Sequence, residues 1–155
     1  MNFSTLTKSL SATVVGLLAI ATPALAQPGD NEIGNYVGLG ARSGLNDSFA
    51  VVIDSKFEIF KLDQNTVSVR PAIYVGDDFE GRLPISYDVI LDEQLLFFGG
   101  GGFAYNFEDS DFDPMLTAGL DMPLSERLIL NVEGNLILKS NDTDAEIAGS
   151  INWRF

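Results

Sequence analysis

Neither cysteine nor histidine occurs in the 155 residues of this chain, so any chemistry must come from carboxylates, hydroxyls, lysine and arginine. A thiolate nucleophile, a disulfide framework, the usual general base and the commonest transition-metal ligand are therefore all missing. The run Asp109-Ser110-Asp111-Phe112-Asp113 alternates carboxylates as a calcium loop does. Its sixth position is Pro114 and its twelfth Leu120, where an EF-hand needs Gly and a bidentate Glu. Asp109, Asp111 and Asp113 remain the candidate metal ligands, for a divalent ion bridging to anionic surface lipid. Otherwise they form a solvated, self-repelling loop. Gly99-Gly100-Gly101-Gly102 imitates a phosphate loop, but neither the Lys-Ser/Thr pair nor a following helix is there. A strand whose neighbours pack closely accounts for it better. Gly38-Leu39-Gly40 opens a dinucleotide fingerprint without its third glycine. Asp54 and Glu58 could do acid–base work as a carboxylate pair. Their interleaving with Lys56, and the presence of Arg70 and Arg82, suits a structural ion network instead. The expectation is no catalytic residue, no cofactor and no EF-hand metal site.

What must position these residues follows from composition and pattern. The formal charge is −13. Nucleic acid, whose binding rests on Lys and Arg meeting phosphates, is disfavoured as a partner. Residues 1–26 carry one lysine, an apolar run from Val14 to Ala21, and the ending Ala24-Leu25-Ala26, which together read as a secretory signal peptide. The run is short of the ~20 residues a membrane-spanning helix needs. Cleavage after Ala26 would leave a short N-terminal segment, 27–34, and one domain, 35–155.

That domain shows period-2 alternation and almost no helical periodicity. Eight strands are predicted, at about 35–43, 48–60, 65–75, 81–91, 94–106, 114–122, 127–139 and 144–155, separated by Gly, Asn and Asp turns. With no crossover helix the neighbours must pair antiparallel, as an up-and-down meander. Strands of this number and length suit a closed barrel. Pro71 and Pro84 fall inside strands, where a closed sheet has no free edge to accept them, so bulges are expected there.

Two architectures share such a pattern, and the charges discriminate between them. On the polar strand faces, Asp54, Glu58, Asp88, Asp121, Glu133 and Glu146 are matched one for one by Arg42, Lys56, Arg70, Arg82, Lys139 and Arg154. The connections 43–48, 76–81, 106–113 and 140–144 at one end hold ten acids and no base. A balanced set confined to one face is what a narrow desolvated lumen requires, because buried charges must be paired. The apolar face then meets lipid. Phe57, Phe97, Trp153 and Phe155 near one end of the strands, with Phe49, Tyr105 and Phe107 near the other, fit two interfacial girdles.

The ending Ile147-Ala148-Gly149-Ser150-Ile151-Asn152-Trp153-Arg154-Phe155 resembles the C-terminal signature of bacterial outer-membrane β-barrels, with Gly149 a small departure from it. Strand number and length resemble the small eight-stranded OmpA/OmpX-type proteins. The resemblance implies that Ile151, Trp153 and Phe155 are read by the outer-membrane assembly machinery. It also implies partners among periplasmic chaperones and outer-membrane lipid, both termini in the periplasm, and the acidic connections facing outward. Lipid A deacylases and omptin-type proteases of that wider group need a histidine, which this chain lacks. Eight strands leave an interior that side chains fill, so a solute pore is not expected. The plug would comprise Asp54, Lys56, Glu58, Arg70, Arg82, Asp88, Asp121, Glu133 and Arg154. The resulting expectation is a non-enzymatic outer-membrane barrel serving surface structure, envelope integrity or adhesion, its loop ligand unknown. The alternative is a soluble exported barrel binding an apolar small ligand in its interior.

Overall fold

The computed structural model describes residues 33–45, 49–92 and 94–155. The signal peptide assigned to residues 1–26, and Asp47 and Glu93 in two connections, lie outside them. The described residues form β1 (Tyr36–Gly44), β2 (Ala50–Leu62), β3 (Asn65–Val69), β4 (Ala72–Val75), β5 (Phe79–Asp92), β6 (Leu95–Asn106), β7 (Asp111–Pro123), β8 (Leu128–Leu138) and β9 (Thr143–Arg154).

Every pairing is antiparallel between chain neighbours, with β3 and β4 acting as two halves of one staff between β2 and β5. β1 pairs with β2 on one side and with β9 on the other, so no strand presents a free edge. The sheet closes as an eight-staved barrel, as the turn spacing predicts. The strands are strongly staggered. Gly40 in the middle of β1 pairs Val52, which pairs Tyr74, which pairs Glu80, which pairs Asn106 at the very end of β6. A closed barrel requires such tilt.

The predicted third strand, 65–75, is interrupted at Arg70-Pro71, and the cause is local. The ladders on either side place Arg70 opposite Pro84 and Pro71 opposite Leu83. Arg70 donates its backbone N–H to the Pro84 carbonyl at 3.0 Å, but Pro84 has no N–H to return. Pro71 lacks the donor that would face β2, and the Ser55 hydroxyl instead reaches the Pro71 carbonyl at 2.6 Å. Both prolines thus fall at one level of the wall and share one break. A register shift between Glu58 and Phe60 leaves Ile59 bulged just below it.

The glycine run lies within β6 and serves close packing. A Cβ on Gly100 would meet the Ile85 carbonyl at 2.0 Å, and one on Gly102 the Leu83 carbonyl at 2.2 Å, whereas Gly99 has room outside the barrel. The phosphate-loop resemblance thus dissolves into strand geometry. The 106–113 connection is shorter than expected, because Asp111 and Asp113 already belong to β7. Asn106 closes the remaining turn, its side-chain oxygen accepting the Glu108 N–H at 2.8 Å.

Candidate functional site

The lumen holds the chain's concentrated chemistry, and strand alternation puts it there. Inward positions of β2, β3, β5, β7 and β9 carry Asp54, Lys56, Ser68, Asp88, Asp121 and Glu146, all buried. The sequence neighbours Tyr87, Leu120 and Ile147 lie on the opposite face of their strands. Outside, Leu39, Leu83, Ile85, Phe103, Leu116 and Ile151 are each about half exposed or more. The sheet is therefore inverted relative to a water-soluble barrel, with charge within and hydrocarbon without.

Two ion clusters fill the interior. In the first, the Arg70 guanidinium donates to Asp121 at 2.9 Å, to Asp88 at 3.3 Å, to the Tyr36 hydroxyl at 2.7 Å and to the Ser86 hydroxyl at 2.9 Å. It also lies 3.5 Å from the centroid of the Phe98 ring. Lys56, fully buried, bridges Glu58 at 3.2 Å and Asp88 at 3.4 Å. Asp88 accepts from Thr66, Ser68 and Ser86 as well, so its lone pairs are occupied. In the second cluster Arg82 grips Glu146 with two donors, at 2.6 and 3.0 Å, and also pairs with Glu80. Arg42 meets the same Glu146, and the Tyr74 ring lies beneath both guanidinium groups, 3.8 Å from Arg82. Each charge of these two clusters is thus both paired and hydrogen-bonded, which is the condition for tolerating it.

Of the residues assigned to the plug, Asp54, Lys56, Arg70, Arg82, Asp88 and Asp121 are buried. Glu58 and Glu133 are partly exposed on the inward face. Arg154 stands apart, half-buried at the terminal end of β9, its backbone bonded to the Arg127 carbonyl. Four further participants join them: Arg42 and Glu146, counted on the polar faces but not assigned to the plug, and Tyr36 and Tyr74. Glu80 and Asp144, counted among the acidic connections, are drawn toward the interior, where Glu80 pairs with Arg82 and Asp144 with Lys139. Each lies two residues from a lumen charge, so alternation extended by one step would have found them. The terminal end of the lumen is apolar, correcting a uniformly polar plug. Ile33, Tyr36, Leu96, Phe98 and Ile129 pack there, and Asn35 accepts the Glu58 N–H at 2.8 Å.

Among the described residues no group of three acidic side chains is placed to hold a metal, so Asp109, Asp111 and Asp113 do not converge as a calcium loop. Aromatic rings do gather at both ends outside the barrel. Phe79, Phe107 and Tyr105 touch one another at the acidic end, with Phe103 stacked on Phe112 at 4.6 Å. At the other end Phe57 meets Phe155, and Arg127 lies over Trp153.

The fold is that of a small transmembrane β-barrel. A designed transmembrane β-barrel matches it with a TM-score of 0.63 at 17% identity, over 83% of this chain and 97% of that one. The outer-membrane protein Ail of Yersinia pestis, in a phospholipid nanodisc, matches with a TM-score of 0.56 at 9% identity, over 80% and 100%. The N-terminal β-barrel domain of Pseudomonas aeruginosa OprF gives 0.55 at 10% identity, over 78% and 96%. Ail has also been crystallised with the heparin analogue sucrose octasulfate. Identities this low carry the fold and nothing finer. No family model and no curated protein matches the sequence.

Proposed function

We propose that this chain is an exported, non-enzymatic outer-membrane barrel whose work is done by its acidic rim, in surface structure, envelope integrity or adhesion. The observation that carries this reading is the inversion of polarity. Buried Lys56, Arg70, Arg82, Asp88 and Asp121 sit inside a wall whose outer face is Leu, Ile, Val and Phe. An exposed apolar surface of that extent in water is an aggregation liability, whereas in a bilayer it is the solvated face. The filled lumen argues against solute diffusion. With neither histidine nor cysteine, and with Asp88, Asp121 and Glu146 tied to arginine, it also argues against catalysis.

The rim constrains the partner. Asp77, Asp78, Glu108, Asp109, Asp111 and Asp142 are exposed at one end and no base accompanies them in those connections. A sulfated polyanion such as the heparin analogue bound to Ail would be repelled here. A basic protein surface, or lipid reached through divalent ions, is the matching chemistry. Export through residues 1–26, and assembly through Ile151, Trp153 and Phe155 with chaperones and the assembly machinery, belong to the same proposal.

The test is gel mobility of the membrane fraction in detergent, with and without boiling. Recovery in the outer membrane with a heat-dependent shift is expected. Recovery from the soluble periplasm, with no shift, would overturn the reading in favour of a soluble barrel holding an apolar ligand.

A further inference from the structure

Hydrogen-bond accounting in the lumen leaves a surplus of acceptors at one place. All four buried cations are committed to other carboxylates: Arg42 to Glu146, Arg82 to Glu80 and Glu146, Lys56 to Glu58 and Asp88, and Arg70 to Asp88 and Asp121. Asp54 and Glu133 lie within electrostatic reach of each other, with Arg70 also in reach of Asp54, and among the described residues neither forms an ion pair. Asp54 receives one donor, the Ser150 hydroxyl at 2.8 Å. Glu133 receives the Tyr74 hydroxyl at 3.1 Å and the Asn135 amide at 2.9 Å.

A second observation points the same way. The Asn152 side chain is fully buried, and its carbonyl oxygen has no hydrogen-bond partner; the same is true of the Asn135 carbonyl oxygen, on a side chain that is 2% exposed. Asn152 spends its amide N–H on Ser150, the residue that in turn donates to Asp54. Its orphan oxygen leans over Gly38, within 2.3 Å of where a Cβ there would sit. Gly38 pairs with Asn152 on one side and Asp54 on the other, so the oxygen lies over the β9–β1 seam, one strand away from Asp54. At this place the atoms left over, the Asn152 and Asn135 carbonyl oxygens, are acceptors. Whatever completes this place must bring positive charge or hydrogen-bond donors.

We propose that the centre of the lumen binds one hard divalent cation of the calcium class, with Asp54, Glu133 and the Asn152 carbonyl oxygen as its protein ligands. Two carboxylates match a charge of two, and an oxygen-only set of carboxylates and amide carbonyls is calcium chemistry. The Glu133 side of the lumen is partly open, which gives water and ions a way in. The site needs the closed lumen but not the membrane, so its failure leaves the proposed function untouched, and the reverse also holds.

The experiment uses the full barrel refolded in detergent micelles and stripped with a chelator, with terbium as the calcium probe. Tyr74, whose hydroxyl touches Glu133, is the sensitiser. Tyrosine excitation should give terbium emission at one site, displaced by calcium and not by sodium. Asp54→Asn and Asn152→Ala should each weaken that site by more than ~10-fold, the lower end of what losing even a supporting partner of a metal site costs. A heat-dependent gel shift certifies that each variant is closed. Glu133→Gln, at a partly exposed position, provides a further ligand change should either fail to close. The rim variant Asp109→Asn with Asp111→Asn should keep the signal. Emission that survives the lumen variants but falls with the rim variant would place the ion on the surface and overturn the proposal. Absence of emission from the closed wild-type barrel would mean that water supplies the missing donors, and would overturn it equally.

Discussion

Arg70 shows how a buried charge is made tolerable in a narrow barrel. Its guanidinium meets two carboxylates, two hydroxyls and an aromatic face, so almost none of its donor capacity is left over. Replacing it with methionine keeps much of the volume but strands Asp88 and Asp121, with Lys56 alone against both. The expected cost is about 3–5 kcal/mol in urea unfolding from micelles, the magnitude for removing one partner of a buried pair. Adding Asp88→Asn and Asp121→Asn to Arg70→Met should recover most of the loss. If the triple variant is no better than the single one, the cost lies in packing against Phe98 and not in charge. Alternation along the strands was enough to place these charges on one face. Choice of partner was not legible, because strand stagger decides it. Arg42 meets Glu146 from 104 residues away, and Arg70 meets Asp121 across 51. Tyr36 and Tyr74 gave no sign of their part, since a tyrosine in a strand reads equally as an interfacial ring.

Among the elements, the staff made of β3 and β4 departs most from the sequence reading, and its prolines explain why. One proline in a closed wall costs one ladder bond. Here Pro71 and Pro84 sit at one level, their missing donors facing β2 and Arg70 respectively, so the break is concentrated there and flanked by the bulge at Ile59. The position of both prolines inside strands was legible; their juxtaposition needed the register. Native-state hydrogen exchange should therefore show the amides of Ser55, Lys56 and Ala72 opening faster than those of Gly99, Thr117 and Ala118, which lie in the unbroken β6–β7 ladder. Pro84→Ala restores an N–H opposite the Arg70 carbonyl. Against a gain of about 0.5–1.5 kcal/mol for a new hydrogen bond stands about 0.4–1 kcal/mol from a looser unfolded chain. Net stability should hence change little, while protection at the seam rises. Unchanged exchange at Arg70 and Ala72 would mean that the missing Pro84 donor is not what weakens this wall.

For the whole molecule the decisive property is which solvent the outer face is built for, and a depth series reads it directly. Val132 on β8 and Leu124 in the β7–β8 turn are both exposed, at 38% and 58%. In water an arginine at either place would be close to neutral, since surface substitutions of this kind stay within about 0.5 kcal/mol. In a bilayer the two part company. Val132 pairs with Leu120 and Gly149 near the middle of β8, whereas Leu124 lies in the turn at the terminal edge. Val132→Arg should cost about 2–4 kcal/mol and Leu124→Arg about 0–1 kcal/mol, because the penalty for a lipid-facing charge falls from the midplane to the interface. The measurement is reversible folding into phospholipid vesicles, with each variant compared at several urea concentrations. Equal, small effects at both positions would show that water and not hydrocarbon covers the barrel, and the polar lumen would then need another explanation. A graded pair would tie the inversion seen in the burial pattern to a membrane, independently of any likeness in fold.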